Sequence, residues 1–251
     1  MTKTMRALAV AVAVGAATQG VAAEGQVLRA GSTPTGVPFT FLDTKTESVQ
    51  GVMVDLMRAI AKDQGFAVDI QAMPFSTLIP SLTSAKIDII CAALGMTAQR
   101  AEVVAFTDPV YGYGEAMVVN AKDPKAYRGL EDLKGDVVGT QVGTVYVDPM
   151  RKTGLFSEVK VYDSLADVMR DVGLGRIKAG FGDFPMVAYQ VSQGVHKDVR
   201  LVRDHKPTVE VKIAMAVRKG DDALRAKLNA SLAKLKADGT LDTILAKWGL
   251  K

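Results

Sequence analysis

The chain has 251 residues, of which 48% are hydrophobic, with 31 lysine and arginine residues against 27 aspartate and glutamate residues. The charges are interspersed, whereas a nucleic-acid-binding protein needs a basic face or stripe, so the composition argues against that class. The only cysteine, Cys91, excludes an intrachain disulfide. We expect a buried, unreactive thiol in a protein whose apolar residues suffice for a core.

The N-terminus has the pattern of a secretory signal peptide. Lys3 and Arg6 precede an apolar segment, and Ala23 fits the cleavage position. The apolar segment is too short to span a bilayer. We predict that residues 1–23 are removed and that the mature protein is exported to the periplasm without a lipid anchor, since Cys91 lies far from the cleavage site.

The first half of the mature chain alternates between strand and helix patterns. We predict strands at 27–32, 67–73 and 87–94, with an amphipathic helix that Gly65 ends and a short helix that Ser76 caps. This order favours a parallel sheet with helical crossovers.

The second half contains two long extended runs, 115–120 and 209–217, which we expect to cross between two structural units. Between them we predict strands at 137–141 and 159–162, a helix capped by Ser164, and a strand that ends at Asp183. Leucine stripes near the end of the chain predict two helices. We interpret Trp248 as a packing anchor of the second.

Two charged residues follow predicted strands. Arg100 comes shortly after the apolar run that ends at Leu94, and Asp183 ends the strand of the second half. Ligands of open α/β sheets bind beyond the carboxyl ends of the strands. Arg100 therefore suggests a site for a carboxylate or a phosphate, with a solvated surface arginine as the alternative.

Several longer motifs together identify a family. They are G-V-M-V-D-L-M-R-A-I-A, P-F-S-T-L-I-P-S-L-T-S-A-K-I-D-I-I, T-A-Q-R-A-E-V-V-A-F-T-D-P-V-Y, L-K-G-D-V-V-G-T-Q-V-G-T, G-D-F-P and A-D-G-T-L-D-T-I-L-A-K-W. On these motifs the chain resembles the type II periplasmic solute-binding proteins of polar amino-acid ABC transporters. The resemblance implies a two-lobe α/β fold in which two hinge strands join mostly parallel sheets flanked by helices. Lobe 1 would comprise residues 24–116 and 214–251, and lobe 2 residues 117–213.

The resemblance also implies roles for individual residues. Arg100 would bind the ligand's α-carboxylate, together with the backbone N–H groups of Gly95 and Thr144. Asp183 would bind the α-ammonium, and the Ala93 carbonyl would accept another of its protons. The two charges of a zwitterion would thus meet opposite charges from opposite lobes.

Further positions bear on specificity. Gly143 opens the next element with free backbone N–H groups, and Phe75 resembles the aromatic residue that packs on the ligand, although a core role is equally open. Gln141 aligns with a specificity position. Thr33 aligns with an aspartate that holds the distal ammonium in relatives taking cationic amino acids, so a lysine-like ligand lacks that partner.

Two glycines depart from the family pattern. Gly95 stands where many relatives have a serine or threonine, and Gly36 stands where they have an aromatic residue. Loss of these side chains predicts a larger and less polar pocket, for a bulkier or unusual ligand.

The implied function is capture of an amino acid or amino-acid-like zwitterion by hinge closure. A monomer without cofactor or metal would deliver the ligand to an ABC permease in the inner membrane, which works with a cytoplasmic ATPase. We expect no nucleic-acid partner.

Two alternatives remain open. Some relatives are periplasmic cyclohexadienyl-dehydratase-like enzymes, but we predict that His196 and His205 are solvated surface residues, and neither Glu115 nor Asp55 belongs to a paired-carboxylate motif. The same fold also serves as receptor ectodomains and cell-wall modules. No spanning helix or second catalytic domain follows the motifs, which favours a free-standing carrier.

Overall fold

The computed structural model describes residues 27–251, so the predicted signal peptide lies outside the described residues. Within them, no helix is long and apolar enough to cross a membrane. The strands are β1 (Val27–Ser32), β2 (Thr35–Gly36), β3 (Thr40–Asp43), β4 (Ser48–Gln50), β5 (Ala67–Ala72), β6 (Ile89–Gly95), β7 (Val104–Phe106), β8 (Tyr111–Asn120), β9 (Val137–Gln141), β10 (Glu158–Tyr162), β11 (Ala179–Asp183), β12 (Val199–Leu201) and β13 (Glu210–Arg218). The α-helices are α1 (Val52–Gln64), α2 (Leu78–Thr83), α3 (Ala98–Ala101), α4 (Val147–Lys152), α5 (Leu165–Gly173), α6 (Phe184–Ser192), α7 (Asp222–Ala237) and α8 (Thr240–Lys247).

One end of the main sheet, in lobe 1, consists of β5, β1 and β6, which run parallel to one another as predicted. Along β6, Ile89 and Cys91 face the core that contains α1, whereas Ile90 and Leu94 face a second cluster that contains α2. Successive side chains of a strand point to opposite faces, so one apolar run packs against both helices. Cys91 is fully buried, as expected, and burial raises its pKa to about 12.

The other end of the sheet, in lobe 2, consists of the parallel strands β10, β9 and β11. Helix α5 begins after Ser164, whose hydroxyl accepts a hydrogen bond from the Asp167 N–H, so the predicted cap is confirmed. The helix lies very close to β11: a Cβ atom at Gly180 would come within 2.6 Å of Val168, and one at Gly182 within 2.6 Å of Leu165. Glycines at these positions therefore allow α5 to pack on the sheet.

Two long strands connect the lobes. The first part of β8, Tyr111–Gly114, pairs with β13, whereas its later part, Glu115–Val119, pairs with β11. Strand β13 continues into lobe 1, where it pairs with β6 and β7. The strand β13 matches the run predicted at 209–217, whereas β8 begins four residues before the run predicted at 115–120, and its pairing changes between Gly114 and Glu115. The sheet continues through the crossing.

The two C-terminal helices, α7 and α8, pack on α1 in lobe 1. Trp248 directly follows α8, and its indole N–H donates a hydrogen bond of 2.8 Å to Asp55 in the first turn of α1. Its ring meets Phe41 edge-on, with the ring centroids 5.5 Å apart. The predicted role of Trp248 as a packing anchor is confirmed, and Asp55 takes part in this contact.

The structure also corrects some local predictions. Ser76 does not cap α2, because it lies inside a 3-10 turn, Phe75–Thr77, that precedes the helix. Helix α6 was not predicted, although its sequence F-P-M-V-A-Y-Q-V-S follows Asp183 directly and carries proline in its first turn, where proline is favourable. The short strands β7 and β12 were also missed, because three residues carry too little periodicity to detect.

Candidate functional site

Arg100 lies beyond the carboxyl end of β6, on the short helix α3. Thr97 caps this helix by accepting a hydrogen bond from the Arg100 backbone N–H. The guanidinium donates from Nη1 to the Gly95 carbonyl at 2.6 Å and from Nη2 to the Gly143 carbonyl at 2.7 Å. Arg100 therefore connects lobe 1, where it resides, to the loop that follows β9 in lobe 2. Burial lowers its pKa, and the charge of Asp183 opposes that shift.

Asp183 lies at the carboxyl end of β11, where α6 begins. Its Oδ1 atom accepts a hydrogen bond of 2.6 Å from the Tyr146 hydroxyl. Some of the residue's surface remains exposed, but desolvation of the carboxyl group raises its pKa, against the effects of Tyr146, Tyr113 and Arg100. Arg100 and Asp183 come from opposite lobes and lie near enough for each charge to shift the pKa of the other.

Phe75 lies between Arg100 and the lobe 1 core. The guanidinium carbon of Arg100 lies 5.8 Å from the centre of its ring, which is within cation–π distance. The same ring is partly buried against the α2 side of the lobe 1 core. Phe75 thus packs against the core and also lies beside the Arg100 guanidinium.

The loop after β9 faces lobe 1 closely. Gly143 has φ of 75°, a left-handed conformation that favours glycine, and a Cβ atom there would lie 3.4 Å from the Ser76 backbone. The Thr144 hydroxyl donates to the Gln141 carbonyl at 2.8 Å, and the Thr144 N–H makes only a long bond of 3.4 Å to the same oxygen. The N–H of Thr144 is therefore weakly engaged.

The side chains of Gln141 and Thr33, the two other predicted specificity residues, already have hydrogen-bond partners. The Gln141 side chain, which is largely buried, donates from Nε2 to the Asp163 carbonyl at 3.1 Å. Thr33 is buried, and its hydroxyl lies 3.4 Å from that of Thr35. Ala93 is partly buried within β6, one strand position before the Leu94–Ala214 pair. None of these side chains carries a charge.

The space beside the two unusual glycines is filled. A Cβ atom at Gly95 would lie 2.8 Å from Val145 Cγ1 of lobe 2 and 2.9 Å from Val211 Cγ1 of β13. One at Gly36 would lie 3.3 Å from Met186 Cε of lobe 2. The expectation of a larger pocket is therefore wrong at these two positions, because apolar side chains take the volume.

A cleft of about 700 Å³ opens beside Arg100, between α3 and α4. Its lining includes Thr97, Gly143, Thr144 and Asp148. Within residues 27–251, no three histidine, cysteine, aspartate or glutamate side chains gather as a metal site requires.

The structure contains a buried polar pair that the sequence did not predict. His205 was predicted to be solvated, but it is buried, and its Nε2 lies 3.2 Å from Oε1 of Glu115. Glu115 also accepts hydrogen bonds from the Thr208 N–H and hydroxyl and from the Val209 N–H, at 2.6, 2.9 and 2.8 Å. Burial opposes ionisation, but the hydrogen bonds from His205, Thr208 and Val209 lower the pKa of Glu115.

This pair lies at the crossing between the lobes. Glu115 is paired with Asp183 in the register of β8 and β11, and the residues that hydrogen-bond to Glu115 immediately precede β13. The only sequence signal was an acidic residue at the start of an apolar run. His196, by contrast, is partly exposed, with its Nε2 3.2 Å from the Gln190 side chain.

The family model of the bacterial extracellular solute-binding proteins, family 3, matches residues 28–251. The histidine-binding periplasmic protein of Escherichia coli K12 is 32% identical, over 99% of this chain and 97% of that protein. An ancestral arginine-binding protein, solved bound to glutamine, is 34% identical with a TM-score of 0.82, over 90% of this chain and 98% of that one.

A third similar protein bears on the enzymatic alternative. It is an ancestral amino acid-binding protein described as a precursor of cyclohexadienyl dehydratase. It is 28% identical with a TM-score of 0.79, over 88% of this chain and 95% of that one. The family match spans nearly all of the described residues, and the structural matches share the two-lobe periplasmic-binding-protein fold. The chain belongs to the bacterial extracellular solute-binding proteins of family 3.

Proposed function

We propose that this protein captures the zwitterion of an α-amino acid, or of a close derivative, between its lobes. The observation that carries the proposal is the pair of Arg100 and Asp183, opposite charges from opposite lobes that influence each other's pKa. A zwitterion offers a carboxylate to the first and an ammonium to the second, so both partly buried charges become paired in the complex. Each lobe alone supplies half of this recognition, and ligand binding therefore favours the closed arrangement.

Arg100 is the proposed carboxylate-binding residue. Its two hydrogen bonds to carbonyl groups use two of the five N–H donors of a guanidinium, and the others remain for a carboxylate. The weakly engaged N–H of Thr144 and the N–H of Gly95 are the proposed backbone donors. Gly143 contributes by holding Arg100 through its carbonyl oxygen.

Asp183 is the proposed ammonium-binding residue. Tyr146 occupies its Oδ1 atom, which holds the carboxylate in one orientation and leaves Oδ2 for the ligand. We propose the carbonyl of Ala93 as a second acceptor, because an ammonium has three protons to donate.

The side-chain end of the ligand is proposed to meet Thr33, Phe75 and Gln141. These residues are uncharged, and the Gln141 amide and the Thr33 hydroxyl already have partners. The site therefore favours an amino acid whose side chain is uncharged. Of the ligands named for its relatives, we expect glutamine and neutral histidine to bind more tightly than arginine.

The cellular setting follows from the same reading. We propose that the mature protein, without residues 1–23, works as a monomer in the periplasm and passes its ligand to an ABC permease and its ATPase. The periplasmic setting named for the histidine-binding relative supports this location. We propose lobe boundaries of 24–116 and 214–251 for lobe 1 and 117–213 for lobe 2. The pairing partner of β8 changes between Gly114 and Glu115, two residues before the first of these boundaries.

We propose binding rather than chemical conversion of the ligand. Glu115 and His205, the buried acid and base nearest the crossing, bond to each other, and Glu115 uses both carboxylate oxygens on residues 205–209. General acid–base catalysis needs such groups within reach of a substrate proton. Release of product from a cyclohexadienyl substrate by the purified protein would instead establish the dehydratase alternative.

A thermal-shift screen of amino acids, followed by calorimetry, tests the proposal. A ligand at about one hundred times its Kd adds ~2.7 kcal/mol to the free energy of unfolding. We expect at least one α-amino acid to raise the melting temperature by several degrees. If no amino acid or derivative does so, the proposed function is wrong.

A further inference from the structure

Tyr113 has a buried hydroxyl group that the roles assigned above leave unused. It lies on β8, two residues before Glu115, in the part of the strand that pairs with β13. Among residues 27–251, no partner meets its hydroxyl in hydrogen-bond geometry. Burial raises its pKa, the charge and the near approach of the Asp183 carboxylate raise it further, and the charge of Arg100 lowers it, so the hydroxyl lies near Asp183 but outside hydrogen-bond geometry. The hydroxyl therefore lies beside the two charges of the proposed site.

Aromatic packing holds this side chain in place. The Tyr113 ring centroid lies 5.7 Å from that of Phe39 and 6.2 Å from that of Tyr111. Phe39 is fully buried. A ring between such neighbours cannot easily turn its hydroxyl towards water, and a buried polar group without a partner costs folding free energy. A group kept at such a cost next to a binding site is a candidate for function.

The ammonium end of the proposed site lacks one acceptor. An α-ammonium has three N–H donors. Asp183 Oδ2 and the Ala93 carbonyl account for two of them, since Tyr146 occupies Asp183 Oδ1. A phenol oxygen accepts hydrogen bonds as well as donating one, so Tyr113 is suited to accept the third.

We propose that Tyr113 is a specificity-determining residue whose hydroxyl oxygen accepts a hydrogen bond from the ligand's α-ammonium. The inference rests on the proposed function and deepens it. The site then requires an unsubstituted primary ammonium, because three acceptors surround it. An Nα-methylated amino acid keeps the charge but loses one donor, and it binds more weakly.

The test compares Tyr113→Phe with Tyr111→Phe. Tyr111 lies two residues earlier on the same strand and donates its hydroxyl to the Leu250 carbonyl at 3.2 Å, which makes it a matched control. Calorimetry measures L-glutamine, L-histidine and L-arginine, and then the Nα-methyl derivative of whichever binds most tightly. We expect Tyr113→Phe to weaken the parent amino acid about fivefold to thirtyfold. Tyr111→Phe stays within about twofold of wild type.

Two readouts separate recognition from a merely structural role. In the wild type, Nα-methylation should weaken binding more than it does in Tyr113→Phe. The unliganded Tyr113→Phe protein should also melt ~2–4 °C higher than wild type, because it no longer buries an unpaired hydroxyl. A variant that is more stable but binds less tightly is the signature of a functional group held at a cost to stability.

The outcomes are distinguishable. If wild type binds one of the three amino acids and Tyr113→Phe binds it equally well, the inference is overturned and the proposed function stands. Equal loss for the parent and the Nα-methyl ligand overturns it as well. If wild type binds none of the three and no other amino acid or derivative, the proposed function and this inference both fail.

Discussion

The Nη2 group of Arg100 in lobe 1 donates a hydrogen bond of 2.7 Å to the carbonyl oxygen of Gly143 in lobe 2. The residue proposed to bind the ligand carboxylate is therefore also a direct link between the lobes. Gly143 adopts a left-handed conformation and approaches Ser76 of lobe 1 closely. The proposed ligand recognition and the observed lobe contact thus depend on the same few atoms.

Replacement of Arg100 should abolish tight binding. Arg100→Ala removes the proposed, partly buried partner of the ligand carboxylate, at an expected cost of about 2 to 5 kcal/mol, or roughly 30-fold to several thousandfold in Kd. Arg100→Lys keeps the charge but not the planar pair of donors, so it should restore only part of the affinity. Calorimetry measures both. Arg151→Ala, an exposed arginine of the same cleft, is the control and should bind normally. Near-normal affinity of Arg100→Ala would remove this residue from the site.

Affinity should depend on pH through Asp183. Desolvation raises the pKa of this carboxyl group above its usual range. A ligand ammonium requires the ionised carboxylate, so affinity should be constant at higher pH and fall as the pH decreases through the raised pKa. The folding stability of the unliganded protein should change with pH in the opposite direction, because the stabilisation by a proton on Asp183 is lost as pH rises through that pKa.

Tyr146→Phe should move the pH dependence. The Tyr146 hydroxyl stabilises the ionised form of Asp183, so its removal raises the pKa of Asp183 further and the loss of affinity begins at higher pH. Tyr162→Phe is a matched control, since its hydroxyl bonds Asp171 in the same lobe at 3.1 Å. Calorimetry across a pH series measures both variants. Unchanged wild-type affinity down to about pH 4, the usual range of aspartate, would contradict the prediction.

A side chain at Gly95 should hinder closure of the lobes. In Gly95→Ala the new Cβ would lie 2.8 Å from Val145 and 2.9 Å from Val211, so one of these side chains must move. Overpacking of this kind costs about 1–3 kcal/mol, and we expect roughly a tenfold loss of affinity or more. Gly112→Ala is the control, because its nearest neighbour would be at an ordinary 3.6 Å.

The double variant Gly95→Ala/Val145→Ala tests this mechanism. Removal of the Val145 methyl groups should return much of the lost affinity, as measured by calorimetry. The radius of gyration in the presence of ligand, from X-ray scattering, should return to the compact value at the same time. If the double variant binds no better than Gly95→Ala alone, contact across the lobes is not the cause.

Glu115 should be important for stability at the crossing. Glu115→Gln replaces a buried acceptor of four hydrogen bonds by an amide, whose NH2 group cannot accept from Thr208 or Val209. Breaking such a buried charged network costs about 3–5 kcal/mol, which lowers the melting temperature by about 10 °C. Glu210→Gln, at the exposed start of β13, is the control.

The pH dependence of unfolding checks the same residue. Because the pKa of Glu115 is lowered in the folded state, its stabilisation is present above its unfolded pKa and is lost as pH falls through the folded pKa. Glu115→Gln should therefore lose less stability on acidification than wild type does. Parallel curves for the two proteins would contradict this role.

Much of the fold could be predicted because its signals are local. The apolar run at Ile89–Leu94, the left-handed Gly65 that ends α1 and the hydroxyl cap at Ser164 each act within a few residues of the chain. Alternation of strands and helices then predicted the parallel order of lobe 1. The prediction that Ser76 caps α2 was wrong because a 3-10 turn and a helix start share the same residue preferences.

The sequence by itself determined the family, the alternating α/β architecture and the candidate charges Arg100 and Asp183, since motif spacing and hydrophobic periodicity are properties of neighbouring residues. Only the tertiary structure decided what fills the space beside Gly95 and Gly36, that His205 is buried on Glu115, and that the Tyr113 hydroxyl lies beside Asp183 and Arg100. These facts depend on side chains far apart in the chain. Their burial and pairing exist only once β8 and β13 have brought the two lobes together.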